Sequence, residues 1–208
     1  MIIVEDWGLI EYKEAWDKQK VYADEVYNRK KASTLVLCEH PSVITIGKTG
    51  SESNIITKPD FLKQLGIDVF EIDRGGDVTL HNPGQLVGYP IFNLADYKQD
   101  LHWFLREIEH CIIELLEDYK IKSGRVEGLT GVWIEHFRKI CAIGLHCSRW
   151  VTSHGFALNV HNNLKEFDFI VPCGIKDKDV TSIERELGIR IEISEIKKKC
   201  TEIFEIHF

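Results

Sequence analysis

With 208 residues, 44% of them hydrophobic, the chain can bury a substantial core and has the length of one ordinary domain. A formal net charge of −7 argues against a general nucleic-acid binder, whose footprint is a basic surface that neutralises phosphates. No apolar run approaches the roughly 18 residues of a membrane span, and residues 1–6 lack the charged and apolar regions of a signal peptide, so a cytoplasmic protein without a membrane partner is expected.

In chain order, residues 1–5 read as a short strand and 13–30 as a helix with Trp16, Val21, Tyr22 and Val26 on its inner side. Residues 34–38 read as a buried strand, 39–42 as a turn and 43–47 as its hairpin partner, which makes His40 a turn residue rather than a catalyst. A short helical piece over 60–65 and a strand over 69–72 follow. Residues 91–94 form an apolar edge. The clearest helix spans 100–121, where Leu101, Phe104, Leu105, Ile108, Cys111, Ile112, Leu115 and Leu116 recur at three- and four-residue intervals. The second half returns to strands over 131–134 and 139–145, the latter with Lys139, Cys141 and Ile143 on one face by period two. Residues 150–160 read as a loop entering a strand, and 169–175 as a turn. Thr181 and Glu184 have capping-box spacing with Gly188 as a stop, and a last helix beyond Ser194 buries Ile196, Cys200, Ile203 and Phe204. Strands and helices interleave without regular βαβ alternation, so the pattern alone gives an α+β (mixed α/β) class around a largely antiparallel sheet.

The six cysteines Cys38, Cys111, Cys141, Cys147, Cys173 and Cys200 show no CxxC spacing, so reduced thiols and no metal are expected. Most fall in apolar strands or on helix faces; Cys173 stands between Pro172 and Gly174 in a loop context that can orient a thiol. The basic runs Arg29-Lys30-Lys31 and Lys197-Lys198-Lys199 read as solvated helix ends or faces, the alternative being docking of an acidic carrier protein.

Residues 74–90 carry four glycines and two prolines among Arg74, Asp77 and His81, with β-like runs on either side. Glycine permits left-handed turns and close backbone approach, while proline fixes the chain, so a binding loop uses both; generic turns use them too. This segment, with Arg74-Gly75-Gly76, Thr79, His81 and Pro83-Gly84-Gln85-Leu86-Val87, resembles the substrate-binding segment of the lipoyl(octanoyl) transferases of lipoate biosynthesis. Leu80 stands where that family has an aromatic, and Asn82 where it has a glycine.

The resemblance spans about residues 34–190 of a single catalytic domain over 1–208, and it implies the biotin/lipoate protein ligase-like fold, with mixed sheets flanked by helices. It further implies a nucleophile at Cys173, in Pro172-Cys173-Gly174-Ile175 followed by Asp177 and Val180-Thr181-Ser182. A catalytic lysine is implied at Lys139, before Ile140 and Ala142-Ile143-Gly144. Substrate contacts are implied at Arg74, Gly75, Gly76, Asp77, Val78, Thr79, Leu80 and His81, at Ala142, Ile143 and Gly144, and at Gly155, Phe156 and Ala157, with Val78, Ile143 and Phe156 as apolar walls. Gly76 and Gly155 serve equally well as turn formers. His81 and His154 are candidates to accept the proton released in the second half-reaction.

The activity so implied is transfer of an octanoyl group from octanoyl-acyl carrier protein, through a cysteine thioester, to a lysine of apo lipoyl domains. Those of 2-oxoacid dehydrogenases and the glycine cleavage H protein are the expected acceptors, with a monomeric enzyme and no cofactor. A cation beside a thiol favours its thiolate, which is the reactive form. Rival readings are an octanoyl/lipoyl amidotransferase, an ATP-dependent lipoate or biotin ligase of the same fold, and a non-catalytic acyl-binding module.

Overall fold

The computed structural model describes residues 2–171 and 178–208. Its larger sheet runs in the order β1 (Ile3–Leu9), β2 (Thr34–Glu39), β6 (Gln85–Ile91), β9 (Val151–Asn159), β8 (Arg138–Ser148) and β10 (Asp179–Val180), with β7 (Val132–Ile134) also paired to β8. A smaller sheet has β3 (Val43–Ile46) between β4 (Asp68–Glu71) and β5 (Val78–His81). The β1–β2, β3–β4 and β8–β10 pairs are parallel and the others antiparallel, giving the mixed, largely antiparallel arrangement expected.

Residues 34–39 are apolar throughout their middle because both faces of β2 are covered. Leu35 and Leu37 join the core under α3 (Leu101–Asp118) and α5 (Ile193–His207), whereas Val36 and Cys38 point into a second core under α1 (Tyr12–Tyr27). The same alternation sends Leu86 one way and Val87 and Tyr89 the other. Asp100 caps α3 by accepting from Trp103 N at 2.9 Å, and of the apolar stripe read from sequence Phe104, Ile108, Cys111, Ile112, Leu115 and Leu116 are buried. In α5, Ile196, Cys200, Ile203 and Phe204 are buried as expected.

Several local expectations are corrected. Residues 34–38 and 43–47 do not form a hairpin: β2 pairs with β1 and β6, and β3 belongs to the other sheet. The intervening turn therefore crosses between sheets, and His40 is fully buried there. The buried positions of α1 are Tyr12, Ala15, Gln19 and Val26, while Val21 is 56% exposed. The apolar pattern misleads because a polar residue, Gln19, occupies an inner position, where its Oε1 accepts from His154 N at 2.8 Å. Residues 150–160 are strand almost throughout, joined to β8 by a tight turn in which Arg149 and Trp150 both adopt positive φ, the twist that suits a two-residue hairpin. Ser182, not Thr181, caps α4 (Ile183–Leu187), accepting from Arg185 N at 3.2 Å; Gly188 ends it in the left-handed region.

Helix α2 (Pro59–Gln64) packs Leu62 with Ile44, Val78 and Leu80 into a core of the smaller sheet. Tyr12, Val43 and Ile72 form another apolar cluster, between α1 and that sheet. Among the described residues no helix is long and apolar enough to cross a membrane.

Candidate active site

A cavity of about 430 Å³ lies where the β8–β9 hairpin meets the segment entering β5, within the size range of small-molecule sites. Arg74, Gly75, Gly76, Asp77, Val78, Thr79 and His81 line one side; Ala142, Ile143, Gly144, His154, Gly155, Phe156, Ala157 and Lys139 line the other. Leu80 does not line it. Alternation along β5 turns that side chain away, fully buried with Ile44 and Ile46, so the structure places Leu80 in the core of the smaller sheet behind the cavity wall. Asn82 also works elsewhere: its Nδ2 donates to Asn163 O at 3.0 Å and Glu166 Oε2 at 3.1 Å, interactions that glycine could not make.

Glycines let the two sides meet. Gly75 N donates to Leu145 O at 2.8 Å, and a Cβ on Gly144 would lie 2.7 Å from Gly75 O. The alternative uses of Gly76 and Gly155 now separate. Gly76, at φ +87, is a turn former, whereas Gly155 is a packing position in mid-strand, where a Cβ would lie 2.0 Å from Gly88 O.

The polar groups are held by networks. Arg74 is nearly buried, and its Nη2 donates to Thr45 O at 2.9 Å and Thr45 Oγ1 at 3.0 Å. Asp77 accepts from Val78 N at 2.7 Å and Asn54 Nδ2 at 2.6 Å, which fixes the turn. Gln85 Nε2 donates to Leu80 O and Asn159 Oδ1, so Gln85 Oε1 is the atom that accepts from His81 Nδ1 at 2.8 Å. That fixes the His81 tautomer, with the lone pair on Nε2. Burial pushes the His81 pKa down to about 3, with the neighbouring His40 a further cause, so the ring is neutral.

His40 donates from Nδ1 to Ile10 O at 2.7 Å and accepts at Nε2 from Tyr89 Oη at 2.7 Å; burial lowers its pKa to about 4. Tyr12 stacks on His81 with ring centroids 5.8 Å apart. His154 has a carboxylate partner instead, Asp73 Oδ1 at 2.8 Å from Nε2. The Asp73 carboxyl is held well below the usual range, chiefly by this hydrogen bond, while burial still lowers the His154 pKa.

Lys139 is 8% exposed, with Nζ 4.6 Å from the centroid of the Trp133 ring. Its place departs from simple alternation: Val132 pairs with Cys141 but Trp133 with Lys139, so one extra residue enters β8. Ile140 and Cys141 both join the core and Lys139 lines the cavity, which corrects the expectation that Lys139 and Cys141 share a face.

Cys173 lies outside the described residues. The chain on either side is tied down. Val171 N donates to Asn54 O at 2.7 Å, Thr181 N donates to Lys139 O at 3.0 Å, and Val180 pairs with Lys139. None of the five described cysteines lines the cavity. Burial raises the pKa of Cys38, Cys111, Cys141, Cys147 and Cys200, which keeps them as thiols.

The sequence reading missed Tyr12, Tyr89, Leu101, Leu105 and Leu129, which also line the cavity. Leu101 and Leu105 were legible only as helix core; one helical turn apart, they extend the apolar wall from α3.

Such a cavity, with apolar walls, close backbone and buried cations, suits a small ligand that is part apolar and part polar. The lipoyl protein ligase A/B catalytic domain matches residues 11–205, and the chain belongs to that family. Relatives named octanoyltransferase include those of Cytophaga hutchinsonii, 46% identical over 99% of this chain and 93% of its own, and Solibacter usitatus, 48% identical over 95% and 88%. The chain is accordingly an enzyme of the acyltransferase class. Among solved structures, the bipartite lipoate protein ligase of Thermoplasma acidophilum superposes with a TM-score of 0.75 at 15% identity, covering 97% of this chain and 81% of that one. The P. falciparum LipL1–lipoate complex gives 0.77 at 13%, covering 98% and 61%. These likenesses concern the fold.

Proposed function

We propose that the protein transfers an octanoyl group from octanoyl-acyl carrier protein to a lysine of an apo lipoyl domain, through a thioester on Cys173. The observation that supports this reading most is the placement of a buried lysine, Lys139, in a cavity with the apolar walls Val78, Ile143 and Phe156. The Cys173 thiolate attacks the carrier thioester carbonyl, the carrier's thiolate leaves, and the acyl group stays on sulfur. The acceptor amine then attacks the new thioester, loses a proton and expels the Cys173 thiolate. Lys139 favours the thiolate by its charge. Exchange of one thioester for another is nearly balanced, and amide formation from a thioester is downhill, so nucleotide is not needed.

His81 and His154 divide the auxiliary roles. His81 offers a neutral Nε2 lone pair, whereas His154 is committed through Nε2 to Asp73. The burial that holds His81 neutral also makes it a weak base, so the proton leaving the amine is assigned to Lys139 once Lys139 has given its own proton to the departing carrier thiolate, and His154 holds the Asp73 turn next to Arg74.

Single-turnover transfer from octanoyl-carrier protein to an apo lipoyl domain, without nucleotide, tests the reading. The native enzyme acquires one octanoyl group on Cys173 and passes it on; Cys173→Ser gives no transfer. Normal transfer by Cys173→Ser, or dependence on ATP, overturns it.

A further inference from the structure

Outside the cavity, α3 and the last turn of α5 bring together three metal-ligating side chains: His110, Glu114 and His207, whose donor atoms all lie within 4.8 Å of one another. None of them lines the cavity. We infer that this cluster is a divalent transition-metal site of the zinc class, joining the middle of α3 to the C-terminal turn of α5.

His110 and Glu114 are four residues apart on α3, which stacks them on one helix face; zinc-binding helices place ligands at this spacing. His207 arrives from 93 residues further along the chain and already meets Glu114, with Nε2 and Oε2 2.7 Å apart. Its ring is nearly perpendicular to that of His110 at a centroid distance of 5.0 Å. Two imidazoles and one carboxylate form a borderline donor set that suits zinc and its neighbours and disfavours calcium or magnesium, which take oxygen ligands.

The geometry lies within side-chain reach of coordination. Bonds of about 2.0–2.2 Å at tetrahedral angles put donors roughly 3.4 Å apart. The Glu114–His207 pair would open by about 0.7 Å. The widest separation, up to 4.8 Å, would close by a rotation of the His110 ring, which is exposed and free of the packed core. Three protein donors leave a fourth position for water. The end of α5 also favours a cation, because its last carbonyls present partial negative charge. The consequence is structural: the ion pins α5 to α3 beside the ring cluster of Phe92, Phe104 and Phe208.

The test is titration of the full-length protein with Co²⁺ as a spectroscopic probe and with Zn²⁺ in a thermal melt. One equivalent of Co²⁺ should give the d–d absorption of a tetrahedral nitrogen–oxygen site without a thiolate charge-transfer band, and Zn²⁺ should raise the melting temperature. His110→Ala and His207→Ala should each weaken binding by about tenfold or more, and the double variant should lose the thermal response. All of these substitutions leave transfer activity unchanged. Absence of binding, a thiolate band, or affinity unaltered in the double variant overturns the site.

Discussion

The two walls of the cavity are made differently. The wall from the larger sheet is a paired hairpin, β8–β9, that offers backbone, small residues, the side chains of Ile143, His154 and Phe156, and one buried cation, Lys139. The wall from the smaller sheet is a turn and a short strand, and its work is polar: Arg74 on Thr45, Asp77 on Asn54, His81 on Gln85. A regular ladder gives close approach with little adjustable detail, whereas a turn supplies charged groups that need separate anchors. The first wall is therefore vulnerable to added bulk and the second to lost hydrogen bonds or altered charge.

Lys139 is the exception on the larger-sheet wall, since it contributes charge rather than shape. Lys139→Met retains much of the apolar stem and removes the cation. Under the proposed mechanism, single-turnover acylation should fall by about 10³-fold with little change in thermal stability. Acylation at the native rate would remove the lysine from the chemistry.

Added bulk comes next. A methyl group at Gly155 meets the backbone oxygen of Gly88 at 2.0 Å and Pro90 Cδ at 2.6 Å, and a strand between two partners cannot step aside. Gly155→Ala should cost about 3 kcal/mol in urea unfolding. Gly124→Ala, which meets nothing within 4 Å, should be neutral or slightly stabilising. Equal losses at both positions would show that glycine flexibility, not close approach, matters at Gly155.

The smaller-sheet wall and the turn beneath it should show themselves in acid. His40 and His81 are buried and neutral, with folded pKa values of about 4 and about 3 against an unfolded value near 6.5. Between these limits the unfolded chain binds protons that the folded chain refuses, so stability is complete above about pH 6.5 and declines as pH falls. The slope reaches about 1.4 kcal/mol per pH unit for each histidine. Urea midpoints at pH 7 and pH 5 measure it, and His40→Gln should flatten the dependence. A flat native profile would mean that the rings are solvated.

How much of this was legible follows the same division. The α3 stripe, the α5 core positions and the Gly188 stop were readable because period and cap chemistry are local. The β2–β3 hairpin was misread because short apolar runs separated by a turn look alike whether they pair with each other or enter different sheets. Lys139 was placed by resemblance, but its orientation depends on one extra residue in β8 that no alternation pattern announces. Gln19, Tyr12 and Tyr89 were missed because their partners lie far away in sequence. His40 Nε2 meets Tyr89 Oη across 49 positions, and His154 N meets Gln19 Oε1 across 135.

Two leucines provide the finest test of the comparison. Leu80 belongs to the polar segment yet is fully buried behind it, whereas Leu105 belongs to a core helix yet lines the cavity with Leu101 and Leu129. If the cavity holds the acyl chain, Leu105→Ala adds apolar room and should raise the ratio of kcat/KM for decanoyl over octanoyl donors by about fivefold, near 1 kcal/mol. The shift stays below that of a sealed pocket because Leu105 is only partly buried. Leu80→Ala should lower stability and leave the ratio where it was, since the space it opens lies within the core of the smaller sheet. A ratio that moves with Leu80 and not with Leu105 would place the chain behind β5, and the apolar wall from α3 would then have no part in selecting the substrate.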